Sequence, residues 1–394
     1  MTIGKRKGAT AKGAGKTTGD NFGGSLSKND HFYLQQAFGM VFDPGMGVQS
    51  PMEASGGSIN EYTSPDGDVW RSHTFATSGT FTCDTLGANI PGGYANKVDV
   101  LLVAGGGGGG FGQYHGSGGG AGGYLEGPVT VTGSTSYAIT VGAGGYGGSN
   151  AMISANGVNT TLLDPGGGPY TYTANGGGRG CHTPNGQGVV GNAGGSGSGA
   201  SGWSQPGGSG TAGAANQSPA PGPNGTLTGY GNAGGASSYP SPNNYLAGGG
   251  GGAGGVGGDG SQGHAPTWSQ GGAGMGGSGK ANVYRYGPTN PQTYAGGGGG
   301  AGYNIPGPGI GGIGGPGGGG NGKGANPTGS DGRPATAAWS TGGGGGGSER
   351  DPDTEVYRYT AGNGGPGIAV VRYKIASTDA NTCLLYTSPS PRDS

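Results

Sequence analysis

The chain has 394 residues, of which 111 are glycine and 26 proline, with a net charge of −1 and 9% charged residues. Valine, isoleucine, leucine and phenylalanine together number 46, too few to fill the one or two aliphatic cores of a globular enzyme of this length. The balanced charge gives no strong field for nucleic acid or a membrane surface, and low charge with 20 tyrosines sets the chain apart from ordinary disordered sequences.

In chain order, the first residues carry Lys5, Arg6, Lys7, Lys12 and Lys16 and read as a basic arm. NDHFYLQQAFG predicts one short helix, with Asn29 or Asp30 at its start and Gly39 at its end. Residues 1–60 are taken together as an arm and attachment region. Strands are expected from about Asp68, at VWRSHTF and GTFTC. The sharpest is KVDVLLV, Lys97 to Val103, a continuous apolar run suited to burial on both faces. It runs straight into Gly105–Gly110. YLEGPVTV and SYAITV follow, the second with the alternation of a half-buried strand, then the weaker NTTLL. GIAVVRYK, Gly367 to Lys374, closes a glycine-rich domain read over residues 66–376. The final segment 383–394, CLLYTSPSPRDS, resembles a translated sequencing-library adapter and is set aside as read-through. The remaining cysteines, Cys83 and Cys181, define neither a disulfide framework nor a metal site, and thiols are expected.

Between residues 166 and 367, glycine tracts alternate with ordinary segments such as ASSYPSPNNYLA and KANVYRYGPTNPQTYA, read as loops. No Gly-X-Y period supports collagen. As strands the tracts have no side-chain register, and as α-helices they cost about 1 kcal/mol per residue relative to alanine. The remaining ordered option is a set of threefold helices of the polyproline II type, bonded backbone to backbone where no Cβ intervenes. The expected fold is therefore mainly β plus irregular: a small β-sandwich base with an inserted bundle of polyglycine II helices.

VDVLLVAGGGGGG, GGGAGGYLEGPVTVTGSTSYAITVGAGGYGG, the GGGGAGG repeats and GNGGPGIAVVRYK together resemble the glycine-rich domain of bacteriophage tail-fibre and adhesin proteins. The resemblance covers about His73 to Lys374. It implies a sandwich carrying polyglycine helices whose tip loops bind the host surface, on a virion tail. The implied partners are a host cell-surface glycan or outer-membrane protein and other tail-fibre proteins, with no nucleic acid, membrane span or cofactor. A secreted or cell-wall glycine-rich protein and a tail-associated glycan hydrolase are the alternatives.

Catalytic patterns fail. Gly142, Gly144 and Gly147 satisfy G-x-G-x-x-G after a strand, with Asp164 downstream, but the segment that follows is a poor helix. KGAGKTT lacks the first glycine of a phosphate loop, where Thr10 stands. His31, His73, His115, His182 and His264 have no ligand spacing. The expectation is a binding protein rather than an enzyme. Its candidate contacts are aromatics with polar neighbours in the inter-tract segments: Trp203, Tyr239, Tyr245, Trp268, Tyr284, Arg285, Tyr286, Tyr294 and Trp339. Tyr124, Tyr137 and Tyr373 fall in strands and are read as structural.

Overall fold

The computed structural model describes residues 50–112, 114–165, 170–183, 190–202, 210–241, 244–260, 272–303, 311–323, 336–349 and 360–377. The basic arm, the short helix at 29–39 and the segment 383–394 lie outside the described residues.

The strands, in chain order, are β1 (Glu53–Ser55), β2 (Ser58–Thr63), β3 (Val69–Phe75), β4 (Gly79–Thr85), β5 (Lys97–Val103), β6 (Phe111–Gly112), β7 (Tyr124–Thr130), β8 (Thr135–Thr140), β9 (Thr160–Asp164) and β10 (Tyr170–Ala174). They continue with β11 (Ala220–Gly222), β12 (Gly225–Tyr230), β13 (Ser238–Ser241), β14 (Asn244–Leu246), β15 (Lys280–Asn282), β16 (Gln292–Tyr294), β17 (Gly302–Tyr303), β18 (Ser348–Glu349) and β19 (Ile368–Ala376).

Two antiparallel sheets enclose the main core. One has the order β1-β4-β8-β9-β10 and the other β11-β12-β7-β5-β19-β3-β2. β5 lies between β7 and β19, which is why its sequence is apolar without alternation. Val98, Val100 and Leu102 face the core shared with Phe81, Tyr137, Ile139 and Leu162 of the other sheet. Leu101 and Val103 point the other way, into a second cluster with Tyr124, Tyr294, Ile368 and Val370. β8 alternates, with Tyr137 and Ile139 buried between exposed neighbours. β1 and β2 are edge strands of the two sheets, and pairing begins with an isolated bridge of Ser50 to Ala88 and then β1, ahead of the Asp68 start read from the sequence.

The fold expectation needs correction. The regular secondary structure of the described residues is almost entirely strands, paired antiparallel except for β6 with β18, with one short 3-10 turn at Pro91–Gly93, and no polyglycine II helix is detected. The base is also larger than anticipated. The physical reason lies in the segments read as bare loops. ASSYPSPNNYLA and KANVYRYGPTNPQTYA fold into β13–β14 and β15–β16, and β11–β12 adds to the large sheet. Thr226, Thr228 and Tyr230 alternate in β12, each strand from β13, β14 and β16 carries a tyrosine, and ladder pairing satisfies the backbone of these segments.

The glycine tracts run outside these named elements. Their backbone groups are buried and bonded to one another. Successive N–H groups from Gly105 to Gly110 donate to the carbonyls of Val158, Gly365, Gly120, Ala155, Gly362 and Ser117. Each tract is therefore tied to several neighbours, and the cross-links fill the space where side chains would otherwise pack.

Candidate functional site

The tracts give the molecule a direction. Gly105–Gly110 leaves the end of β5 and reaches β6; Gly116–Gly123 returns to the start of β7. Gly342–Gly347 runs alongside, from Ala104 to Gly116, and ends in β18, which pairs in parallel with β6. One end of this glycine core is fused to the large sheet, and the other lies away from it.

The far end gathers chain from many parts of the sequence. β6 bridges to Thr183, the Ser201 hydroxyl and the Gly202 N–H meet His115, and Ala301 donates to Gly116. β14 pairs with β17 beside them. Tyr114 stacks on Tyr245 with ring centroids 4.8 Å apart and 19° between planes. His115 lies against the same Tyr245 ring at 5.6 Å and 22°. Phe111 and His182 form a looser pair at 6.4 Å. Lys323 and Glu349 make an ion pair at 3.5 Å on the neighbouring segment. Ser201 Oγ donates to the His115 carbonyl at 2.6 Å, and Gly202 N–H donates to His115 Nε2 at 2.9 Å. The result is a stack of flat rings held from behind by backbone bonds, with Tyr114 at its partly exposed side.

Burial pushes the His115 imidazole down to about 4. The folded chain thus refuses a proton that the unfolded chain accepts below the ordinary imidazole value. Stability is expected to fall as pH drops from about 6.5 to about 4, by about 3 kcal/mol at most, and then to level off for this group. Burial lowers His73 as well, in the same direction. Urea titrations at neutral pH and near pH 4.5 measure the slope, and His115→Gln should show less of it.

The candidates read from the sequence separate into two places. Tyr245 belongs to the far end, where it is buried as the middle ring of the stack. Tyr239 lies in β13 at the same end. Tyr284, Arg285, Tyr286 and Tyr294 belong to the β15–β16 hairpin, which lies on the outer face of the large sheet. Tyr294 is buried there and Tyr284 packs against the same cluster. Arg285 stacks over Tyr286 at 4.7 Å, and its carbonyl accepts from Asn60 and Ser72. Trp339 is 76% exposed but stands at the sheet end, on the segment where Ala338 bonds to Gly318 and Thr341 to Ala295. Trp203 and Trp268 lie outside the described residues. Sequence reading missed Tyr114 and His115. The signal was present as FGQYH, an aromatic and polar interruption between two glycine runs, which marks where the first tract must turn back.

The G-x-G-x-x-G segment at Gly142–Gly147 is followed by chain that returns antiparallel beside it. Ala155 donates to Tyr146 and Val158 to Ala143, so no helix start faces a phosphate there. Cys83 is buried in the core between the sheets, and Cys181 lies in the glycine core, its thiol directed to the Gly199 and Val190 carbonyls. Among the described residues no helix is long and apolar enough to cross a membrane.

These features define a glycine-rich protein with a two-sheet body and a backbone-bonded glycine core. The model of the glycine-rich domain family matches residues 76–374, and the chain belongs to that family. No curated protein matches the chain.

Proposed function

We propose that the chain is the receptor-binding module of a phage tail fibre, an adhesin that contacts a host cell-surface glycan or outer-membrane protein through the far end of its glycine core. The observation that supports this reading is the convergence there of separate chain segments around the Tyr114–Tyr245–His115 stack. Flat rings with polar neighbours offer contact area at low entropic cost, and stack on sugar faces. The two sheets serve as the support, and neighbouring tail-fibre proteins hold them on the virion tail. Affinity arises from several copies engaging one surface together.

Immobilised protein offered bacterial outer-membrane vesicles and purified surface polysaccharide tests the proposal. Retention of either is expected. Tyr114→Ala should weaken it by at least about tenfold, the range of an aromatic anchor at an interface centre. Trp339→Ala, at the opposite end, should change neither retention nor stability by more than about 0.5 kcal/mol. Absence of retention removes the adhesin reading, and release of polysaccharide fragments replaces it with a hydrolase.

A further inference from the structure

Six Asn–Gly pairs occur in the sequence, at Asn156, Asn175, Asn185, Asn224, Asn321 and Asn363. Three of them make the same contact. Asn156 Oδ1 accepts from the N–H of Arg179 at 2.9 Å, and the following Gly157 donates to the carbonyl of Gly177 at 2.9 Å. Asn321 Oδ1 accepts from Gly314 at 2.8 Å, and Gly322 donates to Gly312 at 2.9 Å. Asn363 Oδ1 accepts from Gly147 at 2.8 Å, and Gly364 donates to Gly145 at 2.8 Å. In each case the side chain and the next peptide grip a neighbouring segment at two residues spaced two apart. The asparagines themselves are exposed, so the clasps lie on the rim of the glycine core. There the outermost N–H groups have no further tract to bond, and the side-chain carbonyl takes its place.

Asn–Gly is also the dipeptide most open to cyclisation, because glycine places no Cβ in the way. The glycine nitrogen gives up its proton and attacks Asn Cγ. The N–Cγ bond forms, the Cγ–Nδ2 bond breaks, and ammonia leaves with a proton. Water then adds to one carbonyl of the succinimide and opens the ring, giving aspartate or isoaspartate. The clasp opposes both halves of this reaction. The nucleophilic N–H is tied to a carbonyl, and the side chain is held toward a different segment from the one it must turn back to.

We propose that Asn156, Asn321 and Asn363 are latent modification sites: the fold clasps each Asn–Gly pair against cyclisation, and opening of the rim releases it to one-way conversion. Isoaspartate adds a methylene to the main chain, so the two-residue spacing of the clasp no longer matches its partner and the rim does not re-close. Conversion is then a record of local opening, at the rate set by the opening equilibrium.

The full chain, incubated in mildly alkaline buffer with and without guanidinium and sampled by peptide mass spectrometry, tests this. At each of the three sites, the amide-to-acid mass gain should accumulate at least tenfold more slowly in the folded chain than in the denatured one. Chromatographic splitting into aspartyl and isoaspartyl peptides should accompany it. Equal rates in the two states at these sites overturn the proposal.

Discussion

Replacing Gly250 by alanine is expected to prevent stable folding. Gly250 sits in the middle of the glycine core: its N–H donates to Gly298 at 2.8 Å, and its carbonyl accepts from Gly277 at 2.8 Å. A methyl group there would overlap the carbonyl oxygen of Gly119, and the next nearest atoms are also main chain. No rotamer change can relieve the overlap, because there is no side chain to move. The Gly119 peptide must shift instead, yet it is itself bonded at both ends, to Gly345 and from Gly298. Overpacking costs about 1–3 kcal/mol and each buried backbone group left unpaired about the same again. A loss above about 4 kcal/mol follows, a large part of the stability of an ordinary domain. Gly133→Ala is the control. Its added methyl would meet only Leu86, the side chain at 3.3 Å and the backbone nitrogen at an ordinary 3.7 Å, and the Leu86 side chain is exposed enough to give way. That variant should stay within about 1 kcal/mol of the parent, helped by the reduced freedom of its unfolded chain. Expression yield and denaturant midpoints of the two variants provide the measurement.

The contrast explains how much could be read from the sequence. Strands with side-chain periodicity were legible. Lys97–Val103, Ser136–Val141 and Gly367–Lys374 match β5, β8 and β19, because burial on one or two faces writes itself into alternating or continuous apolar runs. At Gly142–Gly147 the glycines match a nucleotide fingerprint, but the segment after them reads as a poor helix and in the structure returns antiparallel beside them. The tracts were harder. Glycine has no side chain, so a tract carries no record of which neighbours it bonds, and the polyglycine helices inferred from that composition are absent from the detected elements. The hairpins at Ser238–Leu246 and Lys280–Tyr294 were missed since proline and asparagine within them signal loops more strongly than their tyrosines signal strands. The aromatic candidates were found as a class but not by place. Nothing local distinguishes Tyr245, stacked at the far end, from Tyr284, laid on the sheet, because the difference depends on which end of the core each segment returns to.

Arg372→Met is expected to detach the β15–β16 hairpin and to cost about 3–5 kcal/mol, the range for removing one partner of a buried ion pair. Arg372 projects from β19 onto the outer face of the large sheet. Its guanidinium lies between the rings of Trp70 and Tyr284, 4.1 Å and 4.2 Å from their centroids. Nε and Nη2 each reach Asp99 Oδ2 at 3.0 Å, and Nη1 donates to Tyr62 Oη at 2.8 Å. Tyr62 in turn donates to the carbonyls of Val283 and Tyr284, so one side chain joins β2, β3, β5 and β19 to the hairpin. The turn of the hairpin fits because Gly287, at φ 86°, presses its Cα side against the Tyr62 ring. Methionine keeps the packing volume but leaves the Asp99 carboxylate, 7% exposed, without its cation. Lysine restores charge but neither the planar stack on two rings nor the fork of donors, so Arg372→Lys should recover only part of the loss. Adding Asp99→Leu to Arg372→Met removes the stranded charge and should regain more than lysine does. Chemical denaturation gives the energies, and limited proteolysis between Val283 and Pro291 reports the hairpin directly. If Arg372→Met unfolds at the parent's midpoint with the hairpin still resistant, the ion pair is not what holds it to the sheet.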